Sequence, residues 1–338
     1  MGERVRGQIW RNGEKVDGFE LSAISDHIGH DGELIWADLQ CPSHDTMAAL
    51  ADELDLDPFA IEDTTAKAER VKTVTYAHHT FLMVYAVTIT SSEGTSPDMQ
   101  HPTEKADEFE LHRISMFIKH NALITVRLSE GFDIDEVVSR WDEMGSKQYG
   151  VGALLHGLLD VVVDGHFDAV QRLDDAVESL EGSLFDERVE ARELQRKTYD
   201  LRKDLVLLRR VILPMREVIG NIQRRRFEND APSELDPHFS DLYDHALRAA
   251  EWTESVRDMI TTVFETNLSL ADARLNSVMK KLTGWAAIIA VPTAITGFYG
   301  QNVPFPGYER TLGFITSTIL IAAVVAALYL TFRRRDWL

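Results

Sequence analysis

The chain has 338 residues, 44% of them hydrophobic, and a net charge of −20. That length points to more than one domain with ample material for a core. An acidic surface repels nucleic acid and attracts cations, so nucleic-acid binding is excluded as a function. The charge is uneven: residues 281–338 hold five basic side chains (Lys281, Arg310 and Arg333 to Arg335) and two acidic ones (Glu309 and Asp336), a balance of +3 that leaves −23 on residues 1–280. Cys41 is the single cysteine. No intrachain disulfide can form, and a reducing compartment is expected for the larger part. Met1-Gly2-Glu3-Arg4 carries no apolar run, and no signal peptide is expected there.

Residues 1–130 read as a mixed α/β domain. Runs rich in Val, Ile, Phe and Thr predict strands at Val5–Trp10, Leu34–Leu39, Lys72–Thr90, Glu108–Ile118 and Ala122–Arg127. Helices are predicted at Thr46–Leu54 and at Pro58–Lys67, where the proline suits a first helical turn. Residues Ser91–Lys105, rich in Ser, Gly, Pro and Glu, read as an exposed loop. His27 and His30 fall near Gly29 and Gly32. His78 and His79 are neighbours on a strand-like run, so their side chains point to opposite faces. Neither pair is read as a metal site.

Residues 131–235 read as a helical hairpin region. Apolar residues recur at heptad-like spacing at Leu154, Leu158, Val161 and Val162, then at Leu201, Leu205 and Leu208. The intervening acids Asp174, Asp175 and Glu178 read as a solvated face rather than a metal site. Beyond Pro237 there is no proline until Pro292, and Gly284 is the one glycine from His238 to Val291. Some 55 continuous helical residues would extend roughly 80 Å, so residues 236–281 are predicted to be a stalk helix that runs directly into a membrane span.

Two uncharged apolar segments close the chain, Leu282–Tyr299 and Leu312–Phe332. Each is long enough to cross a hydrocarbon layer of roughly 30 Å, and Pro292 is tolerable inside a membrane helix. Residues 300–311 form the loop between them, and residues 333–338 are a basic tail. Lys280 and Lys281 precede the first span, and Arg333 to Arg335 follow the second. Basic flanks favour the cytoplasmic side, so both termini are expected inside and the loop outside in a multi-pass cell-membrane protein. A hairpin this small encloses no path alone. Either it anchors a sensor or scaffold in the lipid bilayer, or several copies surround something.

One face of the long helix, followed at steps of three and four, reads Leu268, Asp272, Asn276, Met279, Thr283, Ala286, Ala290, Thr293 and Gly297. Small residues on such a stripe suit close helix packing. In a parallel ring of copies the same stripe faces the common axis. Asp272 is either a solvated stalk acid or one member of a carboxylate ring that concentrates cations. From Asn276 outward the stripe is uncharged, a lining suited to a hydrated ion such as Mg²⁺, which gives up water reluctantly. Met279 and Leu268 would supply apolar constrictions.

These features resemble the CorA-type divalent-cation channels. Tyr299-Gly300-Gln301-Asn302 stands where that family carries Tyr-Gly-Met-Asn, at the outer end of the first of two C-terminal spans. Further likenesses are Asp241-Leu242-Tyr243-Asp244-His245, Asn276-Ser277-Val278-Met279-Lys280, Leu207-Leu208-Arg209-Arg210 with Pro214, Ile61-Glu62-Asp63, and the basic tail ending Trp337-Leu338. The resemblance implies a funnel-shaped homopentamer with stalk helices around the pore and α/β domains in the cytoplasm. It implies an Asn302 ring receiving the hydrated ion, a tight turn at Gly300, and a pore lined by Thr293, Met279, Asn276 and Leu268. The family register favours Leu282 toward the axis where the stripe has Thr283, and both remain open. It further implies a regulatory Mg²⁺ held by Asp63 and Asp241 across subunit interfaces, with Glu62 beside them. Gln301 departs from the family motif. Zn²⁺ transporters of the ZntB type also change that position, to isoleucine, so the cargo divides between Mg²⁺, with Co²⁺ or Ni²⁺ as passengers, and Zn²⁺ with possible proton coupling. No arrangement of residues suggests an enzyme.

Overall fold

A computed structural model describes residues 2–67, 69–91, 107–143, 149–186, 189, 191–228, 233–301, 304, 306–308 and 310–337. Two compact units emerge. One comprises Met1–Glu187 with Gln195–Thr261, the other Arg188–Leu194 with Thr262–Leu338.

The first unit is built on a seven-stranded sheet. Its strands are β1 (Arg4–Arg11), β2 (Glu14–Val16), β3 (Glu33–Gln40), β4 (Lys72–Thr75), β5 (Thr80–Ser91), β6 (Asp107–Ile118) and β7 (Ala122–Arg127). Their order is β2-β1-β3-β7-β6-β5-β4, with β3 and β7 parallel and every other pair antiparallel. The central strands β3 and β7 are covered on both faces, which is why they read as continuous apolar runs rather than alternating ones. Ile35, Ala37, Leu39, Ile124 and Val126 pack with Met47, Leu50 and Leu54 of α1 (His44–Leu54) and Ala60 of α2 (Pro58–Thr65). The alternate residues face α3 (Ile134–Glu143) and α4 (Val151–Ser183). Trp36 meets Trp141 edge-on at 5.1 Å, and His166 of α4 donates Nε2–H to the Tyr85 carbonyl at 2.8 Å.

Local chemistry sets these helix ends. The Ser43 hydroxyl accepts from the Thr46 amide at 3.1 Å, and the Asp57 carboxylate accepts from the Phe59 amide at 2.9 Å with Pro58 in the first turn. Inside the sheet, Asp38 and Arg127 form a buried pair, with Nη2 to Oδ2 at 2.6 Å. Thr125 and the Phe132 carbonyl take up the remaining hydrogen bonds. Such satisfaction is what makes a buried ion pair tolerable.

Two strand expectations change. Lys72–Thr90 is a hairpin, not one strand. It breaks at residues 76–79, where the Tyr76 amide bonds the His79 carbonyl at 2.9 Å. His78 and His79 therefore lie in a turn rather than on a strand, His78 exposed and His79 buried against Tyr76 and Phe117. The short β2 was not expected. Its signal was Asn12-Gly13, whose positive φ angles of 50° and 86° form the turn from β1. Of the expected loop Ser91–Lys105, Ser91 ends β5 and residues 92–105 lie outside the described residues.

The helical part holds α4, α5 (Ala191–Ile212) and α6 (Met215–Glu228), the last two separated at Pro214, which cannot donate the helical hydrogen bond. Leu154, Leu158, Val161, Val162, Leu205 and Leu208 are buried as the heptad spacing predicts, whereas Leu201 is half-buried. Asp175 and Glu178 are exposed, but Asp174 accepts from Trp252 Nε1 at 3.1 Å and is a packing contact. Helix α7 is continuous from Asp236 to Tyr299. Within the first unit it buries Phe239, Leu242, Ala246, Ala249, Val256 and Ile260 at helical spacing.

The second unit contains the rest of α7 and α8 (Thr311–Arg334). The helix passes through Pro292, and the Thr296 hydroxyl donates to the Pro292 carbonyl at 2.8 Å. Both helices are long and apolar enough to cross a membrane. Only 11% and 6% of their most apolar 18-residue stretches are buried, so neither of these stretches is packed into a protein core.

Candidate functional site

Every position of the sequence stripe is exposed on α7, Leu268, Asp272, Asn276, Met279, Thr283, Ala286, Ala290, Thr293 and Gly297, and so is Leu282 of the alternative register. The covered side of the same stretch carries Gly284 and Ile288. At about 100° per residue, the stripe lies roughly 150° around the helix from those two residues. The stripe therefore lies away from the two buried residues of this stretch, although Trp285, Ile289 and Phe298 on other faces are exposed as well. Leu282 and Thr283 are both exposed, so both registers remain.

At its C-terminal end the helix closes on itself. The Gly300 amide bonds the Thr296 carbonyl at 2.8 Å, and the Gln301 amide bonds the Phe298 carbonyl at 3.2 Å. A Cβ on Gly300 would lie 3.1 Å from the Thr296 oxygen, so the turn favours glycine. Gln301 is exposed, and Asn302 lies outside the described residues. Farther along, Gly307 has φ +94°, and a Cβ there would meet the Gly313 backbone nitrogen at 2.9 Å.

The acids of the first unit fall into three settings. Asp63, near the end of α2, accepts from Lys72 Nζ at 2.8 Å, and Glu69 accepts from the same ammonium at 2.9 Å. Burial pulls Lys72 down, but its bonds to Asp63 and Glu69 outweigh this and raise its pKa. Glu62 is exposed. Asp241, on α7, has a side chain 72% exposed, with His245 Nε2 at 3.8 Å. Oxygen donors such as these suit Mg²⁺. Asp63, Glu62 and Asp241 do not converge within one protomer. Among the described residues, the set of three ligand-type side chains with donor atoms within 4.8 Å of one another is Asp160, Asp164 and His245.

That set was missed from sequence, where Asp174, Asp175 and Glu178 drew attention instead. Its signal was the pair Asp160 and Asp164, four apart on one face of α4. A protein cation already occupies it: Arg140 Nη1 lies 2.5 Å from Asp160 and 2.8 Å from Asp164. Burial opposes the Arg140 charge, but these two carboxylates hold it firmly protonated. His27 is likewise committed, with Nδ1 at 2.8 Å from Glu33.

Comparison with known proteins reaches nearly the whole chain. The cobalt/magnesium transport protein CorA of Thermotoga maritima is 26% identical over 301 residues, covering 87% of this chain and 80% of that protein. The cobalt/magnesium transport protein CorA of Methanocaldococcus jannaschii is 24% identical over 330 residues, covering 95% of this chain and 97% of its own length. The solved structure of the complete CorA magnesium transporter from Methanocaldococcus jannaschii superimposes with a TM-score of 0.71 at 22% identity, covering 98% of both chains. The model of the CorA-like Mg²⁺ transporter protein family matches residues 31–334. An α/β sheet unit, a single long helix and two exposed apolar C-terminal helices meet that match at every level, and the chain belongs to the CorA-like Mg²⁺ transporter family of membrane divalent-cation transporters.

Proposed function

We propose that this protein is a homopentameric, funnel-shaped channel for divalent cations, carrying hydrated Mg²⁺ inward across the cell membrane and admitting Co²⁺ or Ni²⁺. The observation that carries the reading is the open face of α7. From Asn276 to Gly297 the stripe presents small, amide, hydroxyl and apolar groups, all of them exposed. Five such faces around an axis make an uncharged polar lining that hydrogen-bonds a water shell without stripping it. A carboxylate within the bilayer would be costly and would hold the ion too tightly. Asp272 lies before the apolar span and concentrates cations at the inner mouth.

Residues 236–281 form the stalk and residues 282–299 the pore-lining span. Residues 300–311 are the outer loop, where Gly300, Gln301 and Asn302 form the selectivity motif, and residues 312–332 are the peripheral span. Residues 1–130 and 131–235 are cytoplasmic, as is the tail 333–338, so both termini lie inside. Asp63, Glu62 and Asp241 meet a regulatory Mg²⁺ between subunits, whose loss releases the closed ring. Bringing paired carboxylates together costs electrostatic energy until a divalent ion bridges them.

The experiment is Mg²⁺ uptake into proteoliposomes by the wild type and Asn302→Ala. Uptake is expected to vanish in the variant while its oligomeric mass is kept. Normal uptake would remove the role assigned to Asn302. Gln301 favours one second reading, a Zn²⁺ transporter, because it departs from Gly-Met-Asn where ZntB-type members also differ. Zn²⁺ flux that follows a pH gradient, without Mg²⁺ flux, would establish it.

A further inference from the structure

Asp63 differs from Asp241 and Glu62 in one respect: a cation of the chain itself already sits on it. Lys72 Nζ lies 2.8 Å from Asp63 Oδ1 and 2.9 Å from Glu69 Oε2. Neither end of this contact floats. Lys72 is the first residue of β4, paired with Met83 of β5. The α2–β4 connection is tied to the sheet by Arg113, which donates to the Ala66 and Thr64 carbonyls at 2.5 and 2.9 Å. The Tyr85 hydroxyl donates to the Glu69 carbonyl at 2.6 Å. The ammonium and both carboxylates are therefore presented to one another by fixed backbone.

We propose that Lys72 is a built-in competitor for the regulatory divalent cation, a latch that must leave Asp63 before that ion is bound. The inference rests on the regulatory role assigned to Asp63 above. A divalent ion drawn to Asp63 meets a positive charge within hydrogen-bonding distance of the same carboxylate, and the two repel at short range. Lys72 has a flexible four-carbon stem and a second acceptor, Glu69. It can release Asp63 and keep Glu69, so the exchange swaps one cation for another without leaving an ammonium unpaired. The apparent affinity for the ion falls by the fraction of molecules in which Asp63 is released. Lys72 thereby sets the concentration at which the sensor responds, and Glu69 sets how readily Lys72 lets go.

The two residues move the response in opposite directions, which a purely structural role would not do. The test is protection of the full-length protein in detergent from limited proteolysis as Mg²⁺ is titrated. Lys72→Met keeps the stem and removes the charge, and it should lower the Mg²⁺ midpoint by about tenfold. Lys72→Arg should stay near the wild type. Glu69→Gln removes the negative charge of the second partner, biases the ammonium toward Asp63 and should raise the midpoint. An unchanged or raised midpoint in Lys72→Met, with protection lost in Asp63→Asn, would overturn the latch and leave the regulatory reading standing. Wild-type behaviour in both Lys72→Met and Asp63→Asn would overturn both. If Lys72→Met melts early without Mg²⁺, Glu69→Gln decides alone: a raised midpoint supports the latch and a lowered one overturns it.

Discussion

The two units of this chain solve the problem of apolar surface in opposite ways. The first buries it. Phe81, Phe117, Ile35, Leu39, Leu82 and Met83 are wholly inside, and the buried ion pair of Asp38 with Arg127 is fully hydrogen-bonded. The second displays it. Leu282, Ile289, Phe314 and Ile319 are each at least 60% exposed, on helices that contribute little burial to each other. A chain does not expose that much hydrocarbon to water. The first unit carries its own source of stability, whereas the second takes its stability from what surrounds it, a bilayer and, in the proposed assembly, further copies.

The contrast predicts where substitutions are felt. Phe117→Ala should destabilise the first unit by about 3–5 kcal/mol, because it leaves a cavity in a packed core. Chemical denaturation followed by tryptophan fluorescence would read this, since Trp36 and Trp141 lie across the sheet. An effect that changes with the detergent or lipid used would break the distinction between the units.

A smaller effect follows from protonation. His166 is wholly buried, and burial lowers its pKa to about 4, against the opposing hydrogen bond to Tyr85. The neutral ring is the folded form, so its contribution is fully present above about pH 6.5 and is lost as the pH falls toward 4. The loss amounts to about 3 kcal/mol. Neither apolar span contains Asp, Glu, Lys, Arg or His, so this pH dependence belongs to the first unit. Denaturation at pH 7 and pH 4.5 should differ in the wild type and differ less in His166→Phe.

Much of this was legible in the sequence because it depends on local pattern. Strand β7 was expected at Ala122–Arg127 and lies there, since an unbroken apolar run between polar turns admits little else. The continuity of α7 followed from a stretch without proline, and the two spans from uncharged length. What was missed depends on turns and tertiary approach. The β4–β5 hairpin was hidden because Tyr76-Ala77-His78-His79 holds neither glycine nor proline. Periodicity does not reveal that Lys72 reaches Asp63, because their distance is decided by a loop pinned from two other strands. The clasp of Arg140 on Asp160 and Asp164 needed α3 to lie on α4. In the last two cases the missing information was a charge partner supplied by another element.

The most direct test of the central claim asks whether the open face of α7 is wet and on the ion's path. In a Cys41→Ser background, Ala290→Cys places a thiol on that face, and Ile319→Cys places one on the exposed side of α8. Divalent-cation flux in proteoliposomes is measured before and after a water-soluble, positively charged thiol reagent. Flux through Ala290→Cys should fall to a small residue, and flux through Ile319→Cys should be unaffected. Undiminished flux through a fully labelled Ala290→Cys protein would contradict the claim that this face lines the pathway.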